Sequence, residues 1–312
     1  MLNFYRFRQD YLKFEGNDRL DLVNRLSTNR VNTLQQYSGI KTVLTNDKGR
    51  FIDLITLYNF GDFVFAACSF NNAGNVLTHL DKYTIMDDFK PFNMAGTHET
   101  ILFFGNDSLK FVNNVFDIDI SGISNNDFKV FKSSGKDAIV SRNDDKFGGF
   151  MFIYAIEDKS FWNDFLFSGE ITTVFNAVEV TDEQFEAERI AKGIPAYGKE
   201  ISEQTNPLEC GMNDYVSFTK GCYIGQEVIA RMDAYDKISK HMIKIESAVS
   251  FKQADKIVTD GKECGFVTSR VKTSDTNYTG LGFVKTIFLN FDKSYQIKND
   301  RFNFDCKIYP VK

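Results

Sequence analysis

One cysteine of this chain stands in a setting that favours a reactive thiolate. Cys222 lies between two glycines, two residues after Lys220 and shortly before Gln226 and Glu227. The thiolate is the nucleophile and metal ligand, whereas a free thiol with a pKa of about 8.5 is mostly protonated near neutrality. A neighbouring ammonium and the unpaired N–H groups at the start of a helix both stabilise the anion. The spacing therefore predicts Cys222 and Lys220 as the catalytic residues.

The same segment predicts the elements that position this thiol. We expect a short strand to end before Cys222 and a helix to begin after it, and the glycines at 221 and 225 permit backbone conformations closed to other residues. An alternative is that Cys222 is a small buried hydrophobe in a simple turn. Glu227 has an alternative too, because a carboxylate in the first turn stabilises a helix without any ligand. Arg231, four residues later, has the spacing of an ion pair with Glu227.

Length, composition and charge exclude several classes of protein. The 312 residues suit two or three domains, and 43% apolar with 25% charged residues is typical of a globular protein. The 37 basic and 42 acidic side chains give a formal charge of −5 without any long basic run, which disfavours nucleic-acid binding. The N-terminus lacks an apolar run of signal-peptide length, and no stretch reaches the roughly 18 apolar residues of a membrane span. We expect a cytoplasmic protein.

The cysteines and histidines predict no metal site formed by local sequence. There is no CxxC pair, and the three histidines stand far from one another and from the cysteines. Structural zinc sites and iron–sulfur clusters show closely spaced ligands. An odd number of scattered cysteines without an export signal predicts reduced thiols. The five are Cys68, Cys210, Cys222, Cys264 and Cys306.

Apolar periodicity in the first two thirds of the chain predicts a mixture of strands and helices. They do not alternate strictly, which indicates an α+β fold rather than a doubly wound sheet. A glycine-bearing turn at 46–50 between two apolar runs predicts a hairpin, and turn residues among short apolar runs predict strands and turns over 101–140. Predicted strands are 12–15, 41–45, 51–58, 63–68, 101–104, 137–140 and 150–155, and predicted helices are 20–26, 73–86, 159–167 and 181–191.

The last quarter of the chain has a different pattern of apolar and turn residues. Short strands at regular intervals, parted by turns, predict a small β-barrel or a sandwich. They cover 241–245, 256–258, 265–269, 280–284 and 306–309. We therefore divide the chain into 1–236, a region of two interleaved α+β domains, and 237–312, a C-terminal β-barrel domain.

Several motifs with a known mechanism do not occur in the sequence. It has no GxxxxGK[ST] and no GxGxxG, which disfavours P-loop hydrolysis and Rossmann-type redox chemistry. It also has no GxSxG, which weakens the case for a serine hydrolase.

With these alternatives set aside, the segment Lys220–Glu227 resembles the K-G-C-[FY]-x-G-Q-E signature of the YgfZ-type folate-binding proteins, relatives of the glycine cleavage T-protein (aminomethyltransferase). Further likeness lies outside this block. The stretches 16–19 and 26–31 resemble the G-x-D-R and T-N-D-V elements of the family, and 48–50 its K-G-R turn. The stretches 189–195, 206–209 and 265–269 resemble R-x-x-x-G-x-P, P-L-E and G-x-V-T-S.

The resemblance implies a cloverleaf of two α+β domains and a C-terminal β-barrel around a channel that binds tetrahydrofolate. Members of this type act in the assembly or repair of iron–sulfur clusters, so the implied partners are folate and iron–sulfur client proteins or assembly factors. Cys222 occupies the cysteine position of the signature. Lys220 would lower the pKa of the thiol and attract the glutamyl tail of folate. The folate-binding candidates are Tyr223, Gln226, Glu227 and Arg231. For Arg50 and Arg189, domain contacts are the alternative to folate binding.

Two departures from the T-proteins count against glycine cleavage. The aspartate that follows their N-A-S element has no counterpart in 67–75, and the glutamate of their G-x-G-[YF]-E is replaced in 148–151. A carboxylate is needed where a proton moves or a cation forms. The first hypothesis is therefore a cytoplasmic folate-binding protein with a reactive Cys222 that serves iron–sulfur proteins and does not use folate for glycine cleavage. The second is a folate-dependent aminomethyltransferase or other one-carbon transferase, and the third is a binding module without chemistry.

Overall fold

A computed structural model describes residues 1–118, 122–143, 146–169, 174–235, 237–299 and 302–311. The chain forms two compact units. The first comprises 1–44, 52–181 and 219–224, and the second comprises 45–51, 182–218 and 225–312.

The first unit contains two antiparallel-rich sheets, each with helices packed on it. A five-stranded sheet has the order β3-β4-β5-β2-β6, and a six-stranded sheet has the order β11-β1-β7-β10-β9-β8. The elements in chain order are β1 (Asn3–Phe7), β2 (Gln9–Glu15), α1 (Arg19–Leu26), β3 (Gly39–Thr45), β4 (Phe51–Asn59), β5 (Val64–Ser69), α2 (Ala73–Tyr83), β6 (Lys90–Asn93), β7 (His98–Phe104), α3 (Ser108–Phe116), β8 (Phe128–Ser133), β9 (Lys136–Arg142), β10 (Phe150–Ala155), α4 (Lys159–Leu166) and β11 (Val178–Glu179).

Each sheet has its own apolar core. The five-stranded sheet packs on α1 and α2 through Leu22, Leu44, Ile55 and Leu80. The six-stranded sheet packs on α3 and α4 through a phenylalanine-rich cluster that includes Phe103, Phe111, Phe152 and Trp162. Aromatic side chains supply large buried areas, which explains how a chain with 32 phenylalanines and one tryptophan fills these cores.

The second unit is built around a closed barrel. Two helices, α5 (Asp182–Lys192) and α6 (Gln226–Ala234), precede six strands in the chain. Their order around the barrel is β12-β15-β14-β13-β16-β17. They are β12 (Lys240–Ser247), β13 (Lys256–Thr259), β14 (Lys262–Lys272), β15 (Tyr278–Lys285), β16 (Tyr295–Lys298) and β17 (Asn303–Pro310). The interior is filled by residues such as Ile245, Ile257 and Ile297, all fully buried.

The α+β class is confirmed, together with two sheets and a C-terminal barrel rather than a sandwich. The hairpin around 46–50 is confirmed by β3 and β4. Strands and turns dominate the described part of 101–140 as predicted, but 108–116 forms α3, a helix that was not predicted. Asn113 and Asn114 favour turns, but Phe111, Val112 and Phe116 share a helix face that the core buries. The division into 1–236 and 237–312 stays a prediction, and Asp236, where the first part ends, lies outside the described residues.

Candidate functional site

Cys222 lies on an irregular segment at the surface of the first unit. We call residues 219–224 the cysteine strap. Throughout the strap, which the structure describes in full, the backbone forms turns and coil, so the predicted strand before Cys222 is wrong. The predicted helix is present and begins at Gln226. Gly221 and Cys222 are exposed. The alternative of a buried packing cysteine is therefore wrong.

Lys220 is buried and bound to backbone carbonyl groups. Its Nζ donates to the carbonyl oxygens of Asn24 (2.6 Å), Ser27 (2.8 Å) and Asn29 (2.6 Å). An ammonium group has three donors, so all three N–H bonds have a backbone acceptor. Burial, and secondarily the positive charge of Arg30, lowers the pKa of Lys220 to about 7, whereas the hydrogen bonds to three carbonyl oxygens favour the charged form. These contacts are to the C-terminal end of α1 and the loop after it, where a cation is stabilised by the helix dipole.

The two ends of the cysteine strap are fixed by further contacts within the first unit. Arg30 Nη2 donates to the Thr219 carbonyl at 3.0 Å, and the Ile224 amide donates to the Arg25 carbonyl at 2.9 Å. The Tyr223 ring is buried with its centroid 5.1 Å from Lys220 Nζ, and burial raises the pKa of Tyr223 to about 12. The strap therefore bears its exposed cysteine between two anchored ends.

The other four cysteines are buried. All five are free thiols, and burial raises the pKa of each buried one, to about 12 for Cys306. Three of them donate to backbone carbonyls, Cys68 to Asp10, Cys210 to Glu200 and Cys264 to Ile257. A thiol held neutral inside the protein is inert, so Cys222 is the thiol available to solvent.

The remaining predicted binding residues lie on α6, in the second unit. Gln226 and Glu227 occupy its first turn and Arg231 its last turn. Glu227 and Arg231 are both exposed. The structure, which describes both side chains, forms no ion pair between them, so that alternative is wrong. The position of Glu227 in the first turn agrees with the helix-stabilising alternative.

Gly225 precedes α6 at a point where two stretches of backbone meet. Its φ is +78°, and a Cβ built there would lie 2.5 Å from the Asn46 carbonyl oxygen and 2.8 Å from Gly49 Cα. The second glycine of the signature therefore packs on the K-G-R turn, where only glycine fits. Gly221 differs, because a Cβ built there would meet no atom within 4 Å.

A buried ionic network joins the R-x-x-x-G-x-P and G-x-V-T-S stretches inside the second unit. Arg189 Nη1 lies 3.0 Å from Glu200 Oε2, and its Nη2 binds Glu186 and Ser269 Oγ at 2.7 Å. Glu200 Oε1 accepts from the hydroxyl groups of Thr268 and Ser269, both at 2.6 Å. Burial opposes ionisation of Glu186, but its hydrogen bonds and charge interactions with Arg189 and Lys199 outweigh burial and lower its pKa to about 2. Arg189 therefore makes contacts inside the second unit, which agrees with the domain-contact alternative.

Arg50 likewise makes contacts inside the second unit. Its Nη1 donates to Glu209 Oε2 at 2.9 Å and to the Gln204 carbonyl at 3.2 Å. Glu209 is fully buried and also accepts from Ser239 Oγ at 2.6 Å. The glutamate of the P-L-E stretch thus holds the K-G-R turn against the segment that leads into the barrel.

Sequence reasoning missed a buried carboxyl group beside residues 67–75. Asp53, on β4, accepts from the Ser69 amide at 2.9 Å and from Ser69 Oγ at 2.6 Å. Burial raises the pKa of Asp53 against the opposing effect of these hydrogen bonds. The feature of the sequence that could have revealed Asp53 is its position as the lone aspartate within the apolar run 51–57. A carboxyl group therefore does adjoin this segment, although it comes from a neighbouring stretch of chain.

Two clefts are formed by residues outside the predicted site. One, of about 250 Å³, lies in the first unit between Phe60, Phe63, His98 and Ile153. The other, of about 630 Å³, lies on the barrel beside Tyr295, Lys307 and Tyr309. Neither is lined by Cys222 or by the predicted binding residues of α6. Among the described residues, no three His, Cys, Asp or Glu side chains come close enough to hold a metal ion, and no helix has the length and apolarity to cross a membrane.

A family model described as the GCVT N-terminal domain matches residues 9–220. The chain belongs to this family. As a GCVT family member it is 26% identical over 280 residues to a chloroplastic "putative transferase" of Arabidopsis thaliana, a match that covers 88% of this chain and 63% of that protein. It is 25% identical over 267 residues to an aminomethyltransferase of Thermotoga neapolitana, covering 82% and 70%. The chain thus spans less than two thirds of the first of these relatives.

The fold of this GCVT family member is that of a solved T-protein. The structure of glycine cleavage system aminomethyltransferase T from Bartonella henselae matches with a TM-score of 0.84, over 99% of this chain and 85% of that chain. The sequence identity is 11%, so the likeness is one of fold. The predicted T-protein fold is confirmed, and membership of the GCVT family agrees with the broader part of the resemblance. The roles predicted for Cys222, Lys220 and the α6 residues stay predictions.

Proposed function

We propose that this GCVT family member is a YgfZ-type tetrahydrofolate-binding protein whose Cys222 thiol serves iron–sulfur proteins in the assembly or repair of their clusters. One observation carries the proposal. Cys222 is the cysteine of the signature, and of the five free thiols it is the exposed one. Cysteine thiolates are the ligands of iron–sulfur clusters, and an exposed thiol on an anchored strap suits transient contact with a client protein. Free thiols suit a reducing compartment, so we propose the cytoplasm as its location.

The folate part of the proposal is supported by the family and by the side chains of α6. Arg231 is exposed and positively charged, which suits the carboxylates of a glutamyl tail, and the exposed carboxylate of Glu227 suits the N–H donors of a pterin. Gln226 completes the proposed set on this helix. Lys220 is absent from it, because its three ammonium N–H bonds are used by backbone carbonyls.

Folate binding is tested by titrating the purified protein with a reduced folate and measuring heat or intrinsic fluorescence. We expect saturable binding with a Kd of about 1–100 μM, which corresponds to roughly 5–8 kcal/mol. Arg231→Met should weaken it about tenfold by removing a charge-assisted contact. Lys298→Met, which removes an exposed lysine of the barrel, is the matched control and should bind as the wild type does. No saturation at several hundred micromolar ligand would rule out the folate proposal.

The role of the thiol is tested by Cys222→Ser in cells from which the gene has been deleted. We expect the activity of a dependent iron–sulfur enzyme to fall about tenfold or more, since a hydroxyl does not replace a thiolate as nucleophile or metal ligand. Cys306→Ser, in the barrel, leaves Cys222 in place and should restore activity. Full restoration by Cys222→Ser would instead support the binding module without chemistry.

A one-carbon transferase is the second candidate function. The observation that favours it is Asp53, whose carboxyl group is bound to Ser69 beside the segment that corresponds to the N-A-S element. Relatives named aminomethyltransferase point the same way. Incubation with a reduced folate and an aminomethyl donor separates the two candidates. Catalytic turnover would favour the transferase, and binding without turnover would favour the first proposal.

A further inference from the structure

The ammonium group of the signature lysine is bound to three backbone carbonyls. Nζ of Lys220 lies 2.6–2.8 Å from three carbonyl oxygens, those of Asn24, Ser27 and Asn29. An ammonium has three N–H bonds and no acceptor. Because each bond already has a carbonyl partner, none remains to donate to a thiolate at Cys222.

The contacts of Lys220 bring together stretches that are far apart in the sequence. The three carbonyls belong to the last turn of α1 and the loop after it, about 190 residues before Lys220. A cation placed there pairs with carbonyl groups that have no partner inside the helix. The Lys220 side chain is thus the C-terminal cap of α1, supplied by a distant segment.

The cap is one of three contacts that anchor the backbone on either side of Cys222. Arg30 holds Thr219, Lys220 holds the start of the cysteine strap, and the Ile224 amide closes its other end on Arg25. Between these contacts lie Gly221 and Cys222, both exposed. A loop fixed at both ends has fewer conformations than a free one, so these contacts restrict where the backbone of Cys222 lies.

From this geometry we infer that Lys220 is a positioning residue, which presents Cys222 by clamping the cysteine strap to the carbonyl end of α1. The inference rests on the proposed function only in taking Cys222 as the reacting group. It assigns Lys220 no part in the ionisation of the thiol. This replaces the role that the sequence predicted for Lys220.

Lys220→Met tests this inference, since methionine keeps a long side chain and removes the charge and the donors. We expect hydrogen exchange at the Ile224 amide to accelerate about tenfold or more, as a locally opened segment does. The apparent pKa of Cys222, taken from the pH dependence of its alkylation rate, should stay within about 0.3 of the wild-type value. A lysine that activates the thiol would instead produce a rise of about one unit or more.

A second measurement separates positioning from a merely structural role. At a pH where the thiol is fully ionised, alkylation by a bulky maleimide should rise about threefold relative to iodoacetamide in Lys220→Met, because a thiol on a loosened strap stands further from the surface. An unchanged ratio, unchanged Ile224 protection or a raised apparent pKa would each overturn the inference. Lys90→Met, at an exposed lysine of β6, is the matched control.

A second variant covers the case in which Lys220→Met does not fold. Lys220→Gln keeps two donors and removes the charge, so it should show intermediate exchange at Ile224 and an unmoved apparent pKa of Cys222. A pKa raised by about one unit in this variant would equally overturn the inference. None of these measurements uses folate or an iron–sulfur protein. Their failure is thus distinguishable from failure of the proposed function.

Discussion

Replacement of Gly225 by alanine is expected to lower the free energy of unfolding by about 2–4 kcal/mol. Two costs add. The φ of +78° is unfavourable for a residue with a Cβ, and that Cβ would lie 2.5 Å from the Asn46 carbonyl oxygen and 2.8 Å from Gly49 N. The neighbours are backbone atoms of the K-G-R turn, which cannot move aside as a flexible side chain would. The turn and the start of α6 must therefore separate.

Gly221→Ala is the matched control for this prediction, because it makes the same chemical change four residues away in the same signature. A Cβ at Gly221 meets no atom within 4 Å, so we expect a change below about 0.5 kcal/mol. Urea denaturation followed by circular dichroism measures both variants. Equal midpoints for the two would show that the approach of Gly225 to Gly49 does not contribute to stability.

Arg189→Met is expected to cost about 3–5 kcal/mol, because it leaves a buried carboxylate without its cation. The side chain of Glu200 has 0% relative exposure and that of Arg189 has 5%. Glu200 would keep the hydroxyl groups of Thr268 and Ser269, but its charge would have no counterion. Glu186 would lose its arginine as well, so the contacts between α5 and β14 would loosen.

Lys298→Met is the control for Arg189→Met, because it removes the cation of an ion pair that lies at the surface. Lys298 lies 3.2 Å from Glu263, and both side chains are about half exposed. Such a pair contributes about 0–1 kcal/mol, since water and salt screen it. The thermal midpoint of each variant, measured by calorimetry, tests the contrast. If Arg189→Met melted as Lys298→Met does, the buried network would not be a stabilising feature of the second unit.

Much of the fold could be predicted from the sequence where a local pattern is strong. Apolar runs bounded by turn residues predicted most strands of the first unit and of the barrel, and Val76 and Leu80 at helical spacing predicted α2. The strands that were not predicted are β1, β6, β8, β11 and β16. The prediction failed at α3, where asparagines suggest turns and only packing on the sheet selects a helix. It also failed at the cysteine strap, whose conformation depends on contacts with α1 rather than on its own residues.

In the candidate site, too, some features could be predicted from neighbouring residues, whereas others depend on residues far away along the chain. Cys222 was found from the sequence, because a lone cysteine among glycines near a lysine is visible as a local pattern. Its exposure, and the burial of the other four cysteines, could not be read in this way. The spacing of Lys220 and Cys222 suggested an electrostatic pair. In the structure the Lys220 ammonium instead donates to three backbone carbonyls. Asp53 was missed because its partner Ser69 lies on a different strand.

The sequence by itself determined the α+β class, the barrel strands, the family resemblance and the cysteine to which chemistry is assigned. These depend on periodicity and on motifs within a few residues, which the order of side chains specifies directly. Only the tertiary structure decided what Lys220, Gly225, Arg189 and Asp53 do. Each of these residues has a partner 16 to 196 positions away along the chain, and hydrogen bonds, steric fit and burial at such separations are fixed only when the chain folds.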